Sequence, residues 1–175
     1  MAMQWEVDDS EKPYIEYLAG RLVRKVSPQR RHAMVQGALF ALLRELARGR
    51  GDVGTEWRCY IPAEPRRTSL VPDVAFISRE RLGPLTERER EMPQFAPDIV
   101  IEVRSDADKR KNLEWKIAAY LRNGATVVLD VLPLERVIRS HTSDGMREFS
   151  ECQRFTCDAL PWITVDVHEA FADLG

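Results

Sequence analysis

The stretch Pro97-Asp98-Ile99-Val100-Ile101-Glu102-Val103-Arg104 is a short apolar run interrupted by one carboxylate. Its length and β-branched content predict a strand over 98–104. Alternation puts Ile99, Ile101 and Val103 on one face and Val100, Glu102 and Arg104 on the other. An ionised Glu102 in a strand otherwise built for burial is costly unless it is paired or binds a metal. Downstream, residues 106–122 carry helical spacing, an acidic start and an Asn123-Gly124 stop. A buried strand over 126–132 follows, closed by Pro133.

Upstream, Tyr14 to Val26 reads as two short strands around Gly20. Ser27-Pro28 predicts a helix start. Met34, Val35, Ala38, Leu39, Leu42, Leu43 and Leu46 then recur at helical spacing to about Arg48. Strands are predicted over 53–61 and 70–77, and a surface excursion with one helical turn over 79–97. A hairpin across Ser143-Asp144-Gly145 and a short helix after Ile163 complete the chain. This order predicts an α/β (α+β) fold, a sheet flanked by helices, as one domain over 1–175.

The chain has 175 residues and is 44% hydrophobic and 31% charged, enough for a core and too apolar for disorder. No apolar run approaches a membrane span, and residues 1–11 lack a secretory layout, so a cytoplasmic protein with no membrane partner is expected. Cys59, Cys152 and Cys157 form no CxxC pair, which argues against a disulfide scaffold or zinc knuckle. The net charge of -2 hides a split: residues 20–70 carry a balance of +7, and the remainder is acidic.

Asp73, in Val71-Pro72-Asp73-Val74-Ala75-Phe76-Ile77, is a second carboxylate in an apolar run. Lys116 lies at the edge of the Leu113, Ile117, Tyr120, Leu121 stripe and could reach a carboxylate on the preceding strand. Two carboxylates and a lysine suit metal-dependent phosphodiester hydrolysis. The plainer readings are a turn cap for Asp73 and an ion pair of Glu102 with Lys116 or Arg104.

Pro72-Asp73, Glu102-Val103-Arg104-Ser105 and Lys116, in that order, resemble the PD-(D/E)xK nuclease superfamily. More narrowly, with Tyr14 to Val23, His32 and Lys116-Ile117-Ala118-Ala119-Tyr120 before Gly124, the chain resembles the Uma-type restriction endonuclease family. The resemblance implies a restriction-endonuclease-like core with a mixed β-sheet flanked by helices. It implies an endonuclease hydrolysing DNA with Mg²⁺, which Mn²⁺ replaces, and a homodimer. Asp73, Glu102 and Lys116 would be catalytic, with Asp73 and Glu102 as the metal ligands. Glu16 and His32 would be accessory. Arg104 stands where the superfamily usually has lysine, and the lysine role would pass to Lys116. That departure keeps an alternative open: an inactive nuclease-fold module binding nucleic acid or a protein partner. Arg30, Arg31, Arg66 and Arg67, within the basic segment, could contact phosphates.

Overall fold

The computed structural model describes residues 15–18, 20–25, 29–62, 68–105 and 110–175. Among them, six strands form a mixed sheet. β3 (Gly51–Thr55), β6 (Val74–Ser78), β7 (Ile99–Val103), β8 (Val127–Leu132), β9 (Val137–Thr142) and β10 (Gly145–Ser150) lie in the order β10-β9-β8-β7-β6-β3. Only β7 and β8 are parallel, and α4 (Arg110–Arg122) lies between them in the chain. A parallel pair needs such a crossover, whereas a hairpin serves the antiparallel β9 and β10. A smaller antiparallel sheet holds β1 (Ile15–Leu18), β2 (Arg21–Arg24), β4 (Cys59–Ile61) and β5 (Thr68–Leu70), in the order β2-β1-β5-β4.

The alternation expected for β7 sorts the core into two layers. Ile99, Ile101 and Val103 join Val127, Leu129 and Val131 of β8 on one face. There they meet Val35, Leu39 and Leu43 of α1 (Arg30–Leu46) and Phe171 of α5 (Val167–Phe171). Val100 and Val128 face the other way, toward Leu113, Ile117 and Tyr120 of α4 and toward Leu18, Ile61 and Leu70 of the small sheet. Glu102 therefore points into the layer shared by α4 and the small sheet.

Two expected strands divide. The run 53–61 breaks where Glu56 takes φ of +52°, and its halves enter different sheets. The run 70–77 breaks at Val71-Pro72-Asp73, since proline has no N–H for a ladder. Both breaks meet at one point: the Glu56 N–H donates to the Asp73 carbonyl at 3.3 Å. Asp73 thus sits where the chain passes from the small sheet to the large one. The excursion before β7 holds two short helices, α2 (Arg79–Leu82) and α3 (Glu87–Glu91), the latter started by a Thr86–Glu89 capping box. The predicted cap Ser27-Pro28 lies outside the described residues, and the N-cap position of α1 is Gln29. Met34, counted in the apolar stripe, is exposed. Two strands escaped the sequence reading, β11 (Arg154–Thr156) and β12 (Thr164–Asp166), each only three residues long.

The Asn123-Gly124 stop is confirmed, with Gly124 at φ of +99°. Gly51 has a different constraint. A Cβ there would lie 2.1 Å from the Ile77 carbonyl oxygen on the paired strand β6. Gly51→Ala should lower the unfolding free energy by about 2 kcal/mol or more, read by urea denaturation. An unchanged midpoint would contradict this register.

Candidate active site

The antiparallel register pairs Val74 with Ile101, so one step further Asp73 stands opposite Glu102. Val74 and Phe76 face the α1 layer, which leaves Asp73 on the same face as Glu102. Both are buried. Around them the structure gathers Glu16, Lys25, His32 and Lys116 into one cleft of about 70 Å³, room for a few water molecules.

Glu102 is held from α4. Lys116 Nζ lies 2.6 Å from Glu102 Oε1, and the Tyr120 hydroxyl donates to the same oxygen at 2.9 Å. Positions 116 and 120 are one turn apart, so one helix face supplies both donors. Lys116 also lies 2.9 Å from Glu16 Oε1, which accepts the Val71 N–H at 2.9 Å. The lysine that the sequence put at the stripe edge is therefore buried between two carboxylates.

Asp73 has a denser set of partners. Oδ2 accepts the Val103 N–H at 2.7 Å and faces His32 Nε2 at 3.2 Å. Oδ1 accepts from Lys25 Nζ at 2.5 Å, and Lys25 also donates to the Val71 carbonyl at 2.9 Å. Gln36 Nε2 donates to the Asp73 carbonyl at 2.9 Å. Facing an ionised carboxylate, which only accepts, His32 Nε2 is the donor of that pair, and the buried Nδ1 has no partner among the described residues.

These surroundings push the two carboxyls apart. Burial raises Glu102 to about 7; Lys116 opposes the rise, and Asp73 and Glu16 add to it. Burial would also raise Asp73, but Lys25 and His32 outweigh it and hold that carboxyl below its usual range. Glu102 and Glu16 overcome burial at Lys116 and raise it. Lys25 is raised too: burial opposes, and Asp73 with Glu102 prevails. The site's resting state has ionised Asp73 and two ammonium groups, with Glu102 near its titration point.

Arg104 forks onto Asp130 through Nε (2.7 Å) and Nη2 (2.5 Å). Asp130, given no role by the sequence, is thus Arg104's partner. Arg31 lines a second cavity of about 320 Å³ that adjoins the first through His32, Arg104 and Ser105. Arg30 is exposed on the same helical turn, and Arg66 and Arg67 lie outside the described residues. The basic segment is not all surface: Arg58 is buried, donating to Ser69 Oγ at 2.6 Å and the Ile15 carbonyl at 2.9 Å.

The donors suit a hard divalent cation in kind: three carboxylates, Glu16, Asp73 and Glu102, face one cleft. Glu102 Oε1 takes both Lys116 and Tyr120, and Oε2 has no protein donor among the described residues. Lys25 occupies Asp73 Oδ1. Among the described residues no three His, Cys, Asp or Glu side chains are gathered closely enough for direct capture of a metal ion.

The model of the Uma2 family, described as "Putative restriction endonuclease", matches residues 2–167. The chain belongs to this family. It is the family that the ordered motifs resemble. The crystal structure of "a putative nuclease belonging to DUF820" from Anabaena variabilis ATCC 29413 shares the fold, with a TM-score of 0.84. The two are 19% identical over 94% of this chain and 93% of that one. No curated protein sequence matches the chain. Among the described residues of this Uma2 chain, no helix is long and apolar enough to cross a membrane.

Two family-independent tests follow from the geometry. Glu102's folded pKa lies above its ordinary 4.5, so the folded state binds more protons than the unfolded one between about 4.5 and 7. Its contribution is fully present below 4.5 and is lost as pH rises through 7. In metal-free buffer the wild type should lose on the order of 1–3 kcal/mol relative to Glu102→Gln between pH 5 and 8. Parallel stability profiles would refute the shift. Tyr120→Phe should cost about 1–2 kcal/mol by removing a donor from buried Glu102, measured by thermal unfolding.

Proposed function

We propose that the chain is a metal-dependent endonuclease hydrolysing DNA phosphodiester bonds, carried by one nuclease-like domain over residues 1–175. The observation that supports this most is the convergence of Asp73, Glu102 and Lys116 on one cleft in a Uma2-family chain. Asp73 and Glu102 would hold Mg²⁺, with Mn²⁺ as substitute. A divalent cation held there would polarise the scissile phosphodiester.

The protein's own groups do the rest. Lys116 is positioned by Glu16 and Glu102 and carries its charge into the cleft, where negative charge develops on the phosphoryl oxygens. Glu16 keeps that ammonium from folding wholly onto Glu102. The Val103 N–H and His32 fix the Asp73 carboxylate plane. Arg31 beside the adjoining cavity supplies a phosphate contact at the entry to the site.

A second reading is an inert nuclease-fold module that binds nucleic acid or a protein. The Lys25 ammonium on Asp73 and the commitment of Arg104 to Asp130 are the observations that favour it. Cleavage of duplex DNA separates the two. In Mg²⁺ or Mn²⁺ the wild type should nick plasmid, and Asp73→Asn and Glu102→Gln should each lower the rate by at least about a hundredfold, with folding checked by circular dichroism. Undiminished cleavage in both variants would sink the site assignment; no cleavage by the wild type would favour the inert module. Arg31→Ala should weaken DNA binding and reduce its salt dependence by about one unit of slope.

A further inference from the structure

We propose that Lys25 is a built-in counter-cation on Asp73 that a divalent metal must displace, so that this lysine sets the metal affinity of the site. The inference rests on the metal-dependent reading above. Lys25 follows β2 of the small sheet, yet its ammonium reaches a carboxylate directly before β6 of the large one. It donates to Asp73 Oδ1 and to the Val71 carbonyl, both at the point where the chain changes sheets.

Asp73 has no spare oxygen. Oδ2 is held by the Val103 N–H and His32, both fixed on elements packed against the core. Oδ1 is the oxygen a cation could take, and Lys25 holds it. A divalent ion at bonding distance from Oδ1 and an ammonium at 2.5 Å from the same atom would repel strongly in a buried site. One of them must leave.

Lys25 is the more able to leave of the two lysines. Lys116 is shared between two carboxylates, and its side chain is 8% exposed. Lys25 has one carboxylate oxygen and one carbonyl, and its side chain is 16% exposed. Its flexible stem lets the ammonium swing into the cleft, where a phosphodiester oxygen would replace Asp73 as its partner. Metal and phosphate would then arrive together, each favouring the other.

The test is calorimetric titration of Mn²⁺ into the full chain without nucleic acid. Lys25→Met should bind Mn²⁺ about tenfold or more tightly than the wild type, since a competing cation is gone. Lys25→Gln, which keeps an amide donor for the Val71 carbonyl, should show the same gain and serves if Lys25→Met does not fold. Equal or weaker binding in a folded variant overturns the role of Lys25 while leaving metal dependence standing. No Mn²⁺ binding to wild type or variants overturns both. Mn²⁺ should also raise the melting temperature of Lys25→Met more than that of the wild type, a readout independent of cleavage.

Discussion

A carboxylate in the middle of a wholly buried strand has to be compensated, and much of this molecule is arranged around compensating Glu102. β7 is buried along its whole length, so the compensating partners come largely from protein. Helix α4 supplies two from one turn, Lys116 and Tyr120. That fixes which face of α4 meets the sheet. Lys116 then draws in Glu16 from β1, and Glu16 accepts the Val71 N–H beside the sheet crossing. One buried charge thereby ties the large sheet, the crossover helix and the small sheet together.

Asp73 is the counterpart, placed by backbone topology. Pro72 lies between two strands, Asp73 directly precedes the second, and its carbonyl is held by Gln36 and the Glu56 N–H. The register of β6 on β7 brings it opposite Glu102. Two neighbouring carboxyls then experience opposite environments. Asp73 faces Lys25 and His32 and stays ionised; Glu102 is desolvated by burial, feels two other carboxylates and is pushed up. Such a split is how one site holds a firm anion and a readily protonated group at once.

Charge in the sequence proved partly structural. The basic stretch 20–70 invites a surface reading, yet Lys25 and Arg58 turn inward. Arg104 likewise serves Asp130. Of the basic residues named for phosphate contact, Arg31 borders the cavity next to the cleft. A count of charges along the chain does not say which ones answer buried carboxylates and which face solvent. The divided strands have a similar cause. Residues 70–77 have the composition of a single strand, and only the competition of two sheets for its ends, with Pro72 between them, divides it.

The sequence by itself determined the alternation that turns Glu102 away from the α1 core, the helical spacing of Lys116 and Tyr120, the Gly124 stop and the family motifs. Apart from the motifs, which are an ordered set spread along the chain, each is set by residues within a few positions of one another, where backbone geometry dictates the period. Tertiary structure alone decided that Lys25 lands on Asp73, 48 residues away, that Tyr120 gives its hydroxyl to Glu102, and that Asp130 takes Arg104. Those pairings come from desolvated charges finding partners across packed elements, and no local periodicity records which distant group will be there.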